Sequence, residues 1–185
     1  MNAAVADSAP PNHTEIVRAL LDAGAVRFGD FTLASGEKSD VYIDVKRAWT
    51  DPKRLDLLAR ALASRVGSTD RLAGMELGAV PLVVATALRT GHSYAVLRKA
   101  TKEHGTRQAF EGDISPGTRV LLIEDVTTTG GSTLRSIEVV RNAGGVVDRV
   151  LVVVDREAGA AARLAAAGVR IEPLVTLSEL RGARP

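Results

Sequence analysis

The sequence contains no cysteine, and aromatic residues make up only 3% of its 185 residues. The lack of cysteine excludes disulfide scaffolds, cysteine-ligated zinc, iron–sulfur clusters and thiol nucleophiles. It also fits the reducing cytoplasm, where we expect the protein to be located. Because hydrophobic residues still reach 45%, the chain can bury a core, which must be built mainly from Val, Leu, Ile and Ala.

A strong net charge and long apolar runs are also missing. The formal net charge of +2 is too small to indicate a nucleic-acid partner by itself, and no stretch reaches the ~18 uninterrupted apolar residues of a membrane span. Residues 1–13 have neither the basic segment nor the apolar run of a signal peptide, and we expect a flexible tail there. Residues 14–185 are then predicted to form a single domain.

Within that domain, the pattern separates an N-terminal part, residues 14–50, from a core, residues 51–175. In the N-terminal part, Thr14 is expected to cap a helix that runs through Leu21, and β-like runs at 31–33 and 41–45 predict a hairpin. The core alternates helical stretches with apolar runs at residues 72–77, 94–97, 119–123, 149–154 and 171–175. This alternation predicts an α/β fold with a mostly parallel central sheet of about five strands, flanked by helices.

In such sheets, ligands bind at the carboxyl ends of the strands, and the most informative segment lies at one of these ends. The apolar run 120–123 delivers two carboxylates, Glu124 and Asp125, and a hydroxyl-rich turn with two glycines then leads into a helix. Helix-start amides favour an anion, and glycines allow its close approach. The alternative is an ordinary strand–helix turn, but the acids, threonines and glycines together favour a cradle for a single phosphate.

This segment resembles the phosphoribosyl pyrophosphate signature of type I phosphoribosyltransferases, and the resemblance extends over roughly residues 14–180. It implies that family's fold, with Glu124 and Asp125 binding the ribose hydroxyls and Asp125 among the catalytic residues. It also implies that phosphoribosyl pyrophosphate is bound by the loop residues Val126, Thr127, Thr128, Thr129, Gly130, Gly131 and Ser132.

A second segment, residues 98–105, is densely cationic and has no apolar face. A solvated loop is the simplest interpretation, but the segment follows a predicted strand end and so lies at the same edge as the cradle. There, its cations could stabilise a departing pyrophosphate. The segment resembles the catalytic loop of orotate phosphoribosyltransferases, which implies that phosphoribosyl pyrophosphate is bound by Arg98, Lys99, Lys102 and His104. It further implies Lys102 as the leading catalytic residue, His104 as a weaker candidate, and a homodimer whose loop is shared between subunits.

Other matches to the same family concern the base and the pyrophosphate. The resemblance implies that Arg156 and Thr128 bind the orotate carboxylate, for which the planar arginine fork is suited. It places a pyrophosphate loop at residues 76–81, and Lys46 and Arg47 could reach the same group. The resemblance also implies that residues 14–50 form a small N-terminal hood over the base, and Ser35, Lys38 and Tyr42 could line it. Many members of the family carry lysine at the position of Ala34, which leaves the pyrophosphate contacts less defined.

We therefore predict that the chain converts orotate and phosphoribosyl pyrophosphate to orotidine 5′-phosphate and pyrophosphate, in de novo pyrimidine synthesis. Mg²⁺ is expected as the cofactor, carried on phosphates without a dedicated set of protein ligands; no nucleic acid and no membrane is expected as a partner. Two alternatives stay open. One is a transferase acting on another base, and the other is a nonenzymatic regulator that senses phosphoribosyl pyrophosphate or a nucleotide and controls RNA or DNA.

Overall fold

The computed structural model describes residues 9–32, 36, 38–99 and 109–184. The helices and strands occur in the order α1 (His13–Asp22), β1 (Val26–Thr32), β2 (Lys38–Ile43), α2 (Lys46–Trp49), α3 (Pro52–Ala63), β3 (Arg71–Met75), α4 (Val80–Thr90), β4 (Ser93–Leu97), β5 (Phe110–Glu111), β6 (Val120–Thr127), α5 (Gly131–Asn142), β7 (Arg149–Asp155), α6 (Ala160–Ala166), β8 (Arg170–Thr176) and α7 (Leu177–Gly182).

The central sheet has six strands in the order β5–β4–β3–β6–β7–β8. Neighbouring strands are parallel except β5, which is antiparallel to β4. The predicted α/β architecture with a mostly parallel sheet is confirmed, but the sheet has one strand more than the five that were expected. The additional strand β5 contains only two residues, too few for a hydrophobic pattern to indicate it.

Helices cover both faces of this sheet, as the side chains of β6 illustrate. Leu121 and Ile123 pack in a cluster with residues of α1, α3 and α4, whereas Val120 and Leu122 pack in a second cluster with residues of α5 and α6. Successive side chains of a strand point to opposite faces. A stretch that packs against apolar clusters on both faces must itself be apolar, which explains why the first half of β6, Val120–Ile123, appears in the sequence as a continuous apolar run.

The hood contains the antiparallel hairpin β1–β2, as predicted, but its first strand starts earlier than residue 31. Residues from Val26 to Phe28 already pair with residues from Ile43 to Val41, and the register shifts before pairing resumes at Phe31. The intervening Gly29–Asp30 dipeptide breaks the hydrophobic pattern, and for that reason the sequence indicated only the distal part of the strand.

The other differences from the predicted elements are the cap of one helix and two short helices. The cap of α1 is Asn12 and not Thr14: Asn12 Oδ1 accepts the Glu15 amide at 3.0 Å, and Glu15 Oε2 accepts the Asn12 amide at 2.7 Å. The short helices α2 and α7 were not predicted, because four and six residues give too little periodicity. For α7, the three-residue spacing of Thr176 and Glu179, which form a second capping box, was an unused signal.

The topology brings several strand ends to one edge of the sheet. Met75 at the end of β3 pairs with Leu97 at the end of β4, and Thr127 at the end of β6 pairs with Asp155 at the end of β7. The segments that follow these strands therefore meet at that edge, where the acids and the glycine loop lie. In the part of the chain described here, no helix has the length and apolar character needed to cross a membrane.

Candidate functional site

A cleft of about 390 Å³ lies at this edge of the sheet. Its walls come from five separate segments: α2, the loop after β3, the segment after β4, the end of β6 and the start of α5. The side chains and backbone that line it include Lys46, Glu76, Leu77, Gly78, Lys99, Glu124, Asp125, Val126, Ser132 and Arg135. A larger groove of about 510 Å³ between α1 and β1 is lined mainly by apolar side chains. We assign the chemistry to the smaller cleft, because charged groups of both signs converge there.

The two acids of the cleft occupy different environments. Glu124 is 6% exposed, and burial, assisted by the neighbouring charge of Asp125, raises its pKa to about 8. Ser136 Oγ donates a hydrogen bond to Glu124 Oε1 at 3.4 Å. Asp125 is less buried; burial also raises its pKa, while the Val126 amide and Lys46 oppose the shift. Glu124 therefore retains its proton to higher pH than an ordinary glutamate.

The loop after β3 lies against Asp125 with almost no space between them. A Cβ placed on Gly78 would be 2.2 Å from Asp125 Oδ2, so only glycine fits this backbone position without displacing the acid. The peptide bond between Glu76 and Leu77 is cis. Glu76 Oε1 accepts the backbone amide of Lys99 at 2.9 Å, which joins this loop to the segment after β4. The predicted pyrophosphate loop and the predicted ribose acids thus form adjoining walls of one cleft.

Only some of the cations predicted to bind pyrophosphate line the cleft. Lys46 lines the cleft and forms an ion pair with Asp44 at 2.6 Å, which raises the pKa of Lys46. Arg47 points elsewhere, with Nε 3.5 Å from the carbonyl oxygen of Ala23. Lys99 also lines the cleft, whereas Arg98 is bound to Glu111, with 3.1 Å between Nε and Oε1. The remaining cationic-loop residues, Lys102 and His104, lie outside the described residues, as do Ser35 and Ala34.

The predicted phosphate loop follows β6 and opens α5. Gly130 adopts a left-handed φ of 76° and immediately precedes the first helical residue, Gly131. Thr129 and Ser132 are exposed, whereas Thr127 is buried. Among the described residues, the buried hydroxyls of Thr127 and Thr133 have no hydrogen-bond partner. The loop thus presents the amides of a helix start and exposed hydroxyls at one end of the cleft, which suits a phosphate.

The predicted base-binding arginine is held by both the phosphate loop and the hood. The backbone amide of Arg156 donates to the Thr127 carbonyl at 2.9 Å, and Arg156 Nη2 donates to Ser39 Oγ at 3.3 Å. The next residue, Glu157, has a left-handed φ of 57°, which is uncommon for a residue with a side chain. Its amide donates to Asp155 Oδ1 at 2.9 Å. Arg156 is therefore fixed at the edge that also carries the phosphate loop.

Lys38 and Tyr42 both contact other residues of the hairpin. Lys38 donates to Thr32 Oγ1 at 2.8 Å, and Tyr42 stacks on Phe31, with their ring centroids 5.7 Å apart. The contact to Arg156 comes instead from Ser39, a residue that the sequence analysis did not single out. No local signal could have revealed it, because Ser39 and Arg156 are 117 positions apart.

Arg135 is a charged residue of the cleft that sequence reasoning missed. It lies in the first turns of α5, three residues after Ser132, and both side chains line the cleft. A signal for it was present, because residues three apart share one face of a helix.

Comparisons with known proteins agree with this geometry. The family model described as "Phosphoribosyl transferase domain" matches residues 49–170. The orotate phosphoribosyltransferase of Methanosarcina mazei is 50% identical over 168 residues, which are 90% of each chain; that of Methanopyrus kandleri is 46% identical over 173 residues, 94% of each chain.

Solved structures give the same result. The orotate phosphoribosyltransferase of Aeropyrum pernix superposes with a TM-score of 0.80 at 37% identity, covering 90% of this chain and 96% of that one. The Mycobacterium tuberculosis enzyme in complex with 5-phospho-α-D-ribosyl 1-diphosphate superposes with a TM-score of 0.75 at 30% identity, covering 92% of this chain and 99% of that one.

Proposed function

The chain belongs to the orotate phosphoribosyltransferases, and on this premise we propose how its cleft transfers a phosphoribosyl group from 5-phosphoribosyl 1-pyrophosphate to orotate. In this reaction the bond between ribose C1 and the pyrophosphate oxygen breaks, a bond from C1 to an orotate nitrogen forms, and the proton of that nitrogen is released. The products are orotidine 5′-phosphate and pyrophosphate, which places the enzyme in pyrimidine synthesis. The observation that supports this proposal most strongly is the convergence of the two acids, the glycine-lined loop and the phosphate loop on one cleft.

We assign the ribose 5-phosphate half of the donor to β6 and the loop after it. Glu124 and Asp125 would bind the ribose hydroxyls, and the amides and hydroxyls of residues 126–132 would bind the 5-phosphate. Positive charge develops on the ribose as the C1–O bond breaks, and a carboxylate held nearby stabilises that charge. Asp125 is the better group for this role, because it is the less buried acid and Lys46 helps to keep it ionised.

The pyrophosphate would lie between the loop after β3 and the cations at the mouth of the cleft. The close approach of Gly78 to Asp125 leaves backbone groups of residues 76–79 as the wall nearest the breaking bond. Lys46 and Lys99 line the same space, where they would stabilise the charge on the departing group. We further propose that Arg98, Lys102 and His104 take part in binding, with Lys102 as the leading catalytic residue.

Orotate would bind on the other side of the ribose, against Arg156 and Thr128. A guanidinium can form two parallel hydrogen bonds with a carboxylate, and orotate differs from uracil by its carboxylate. The position of Arg156 supports this assignment, since its backbone is bound to the phosphate loop and its side chain to the hood. The same arginine would disfavour purines, which carry no carboxylate.

Mg²⁺, a homodimer and a cytoplasmic location complete the proposal. Among the described residues, no three potential ligands converge in a protein metal cage, but the carboxylates of Glu124 and Asp125 are oxygen donors that suit a metal carried mainly on phosphates. Bound there, Mg²⁺ would offset the negative charge of the pyrophosphate. The dimer rests on the resemblance of residues 98–105 to a loop that is shared between subunits, and the location on the absence of cysteine.

The decisive experiment follows the absorbance of orotate after addition of phosphoribosyl pyrophosphate and Mg²⁺. Adenine, guanine, hypoxanthine and uracil serve as parallel acceptors, and reactions without donor serve as blanks. Turnover of orotate alone is the expected result. Turnover of another base would retain the phosphate site but overturn the acceptor, and RNA binding with a steep salt dependence but without turnover would favour the regulator.

A further inference from the structure

We propose that Arg135 is a substrate-binding residue of this cleft and that its guanidinium contacts the 5-phosphate of the donor. This inference rests on the proposed function and extends it, because residues 126–132 were the only groups assigned to that phosphate.

The charges of the cleft call for a further cation. Two acids besides the protonated Glu124 line it, Glu76 and Asp125, and the donor brings a phosphate and a pyrophosphate to the same space. Of the three cations that line the described part of the cleft, Lys46 is already paired with Asp44. That leaves Lys99 and Arg135, whose side chains form no ion pair with other described residues.

The position of Arg135 directs it to the 5-phosphate end of the cleft. Ser132, the last residue of the phosphate loop, lies three positions earlier on α5 and therefore on the same helix face. Helical side chains lean toward the N-terminus of their helix, so the guanidinium extends back over the turn that contains Ser132. The next residue, Ser136, donates to Glu124, and this contact fixes the same turn of α5 against the end of β6.

The chemistry of arginine fits such a contact. Its planar fork can donate two hydrogen bonds to two oxygens of one phosphate, whereas lysine provides a single point charge. Arg135 is exposed, so its charge is hydrated before a substrate binds. The expected gain is accordingly that of one charge-assisted hydrogen bond at the lower end of its range, which is about tenfold in affinity.

The test compares Arg135→Gln with Arg135→Lys, and Arg18→Gln is the matched control. Arg18 is an exposed arginine on α1 that lines the other groove and not this cleft, so its replacement removes the same charge outside the cleft. We expect Arg135→Gln to raise the KM for phosphoribosyl pyrophosphate about tenfold, with little change in kcat or in the KM for orotate. Arg135→Lys should recover part of the loss, and Arg18→Gln should behave as wild type.

Inhibition by fragments of the donor shows whether Arg135 contacts the 5-phosphate or the pyrophosphate. Ribose 5-phosphate contains only the 5-phosphate, and inorganic pyrophosphate contains only the leaving group. Arg135→Gln should weaken inhibition by ribose 5-phosphate about tenfold and leave inhibition by pyrophosphate within about twofold. The opposite pattern, or equal loss for both fragments, would overturn the assignment to the 5-phosphate.

Calorimetric binding of phosphoribosyl pyrophosphate and ribose 5-phosphate separates this inference from the proposed function. If the wild type turned over no orotate but bound both compounds, the acceptor assignment would fail, and binding by Arg135→Gln would still decide the role of Arg135. Wild-type affinity for ribose 5-phosphate in a folded Arg135→Gln variant would overturn the inference even if orotate were turned over normally.

Discussion

Replacing Gly78 with alanine should impair the enzyme through one displaced carboxylate. An added Cβ would lie 2.2 Å from Asp125 Oδ2 and 2.6 Å from Cγ, whereas Cβ atoms essentially never approach other atoms more closely than 3.0 Å. One of the two groups must therefore move by at least 0.8 Å, the difference between 3.0 and 2.2 Å. Asp125 cannot simply rotate away without cost, because its Oδ1 accepts the Val126 amide at 2.9 Å.

A displacement of this size is enough to matter for catalysis. Misplacing a reacting or stabilising group by ~1 Å can cost about 10²-fold in rate, so kcat/KM for phosphoribosyl pyrophosphate should fall roughly 10- to 100-fold in Gly78→Ala. The KM for orotate should change less, since Arg156 is anchored on another strand. Steady-state kinetics with each substrate varied in turn would measure both effects, and thermal melting would verify that the variant is folded.

Gly182→Ala is the matched control for this prediction. A Cβ on Gly182 meets nothing within 4 Å, and its backbone, like that of Gly78, lies outside the left-handed region that disfavours alanine. The double variant Gly78→Ala/Asp125→Ala adds a second check, because with the carboxylate removed the added methyl group should cause little further loss. If folded Gly78→Ala kept wild-type kcat/KM, or if the two losses simply multiplied, displacement of Asp125 would not be the cause.

Three further predictions address the base, the acids and the cationic loop. Arg156→Ala should raise the KM for orotate far more than that for phosphoribosyl pyrophosphate, and equal losses in steady-state kinetics would remove Arg156 from the base site. Because the pKa of Glu124 is raised to about 8 in the folded protein from an ordinary value of 4.5, its contribution to the free energy of unfolding is fully present below about pH 4.5 and is lost as the pH rises toward 8. Glu124→Gln should therefore reduce the fall in stability between about pH 5 and pH 8 in chemical denaturation of the ligand-free protein, and an unchanged slope would contradict the burial argument. Lys102→Ala should lower kcat on the order of 10²- to 10³-fold without unfolding the protein, whereas unchanged turnover would exclude Lys102 as a catalytic residue.

The features that the sequence predicted well are local in the chain. The first half of β6, which leads to Glu124 and Asp125, was visible as a continuous apolar run, because it packs against apolar side chains on both faces. Gly130 and Gly131 marked the start of α5, since the left-handed conformation at Gly130 favours glycine. Each of these signals depends only on neighbouring residues, and the resulting α/β fold was confirmed.

Several elements were missed or misplaced, most of them because their local signal was too weak. Strand β5 has two residues, helix α2 has four, and neither is long enough to show a period. The start of β1 was hidden by Gly29–Asp30, at which the pairing register shifts. The cap of α1 was assigned to Thr14, although Asn12 and Glu15 have the spacing of a capping box.

The sequence by itself determined which residue types stand at the strand ends, and with them the class of ligand. Only the tertiary structure decided which of those residues share the cleft, which contacts their side chains make and how deeply they are buried. It placed Lys46 in the cleft but turned Arg47 away, and it brought Ser39 to Arg156 across 117 positions. It also buried Glu124, raising its pKa, and pressed Gly78 against Asp125. These features depend on the packing of segments that are distant in the chain, and distances and desolvation between such segments exist only after the chain has folded.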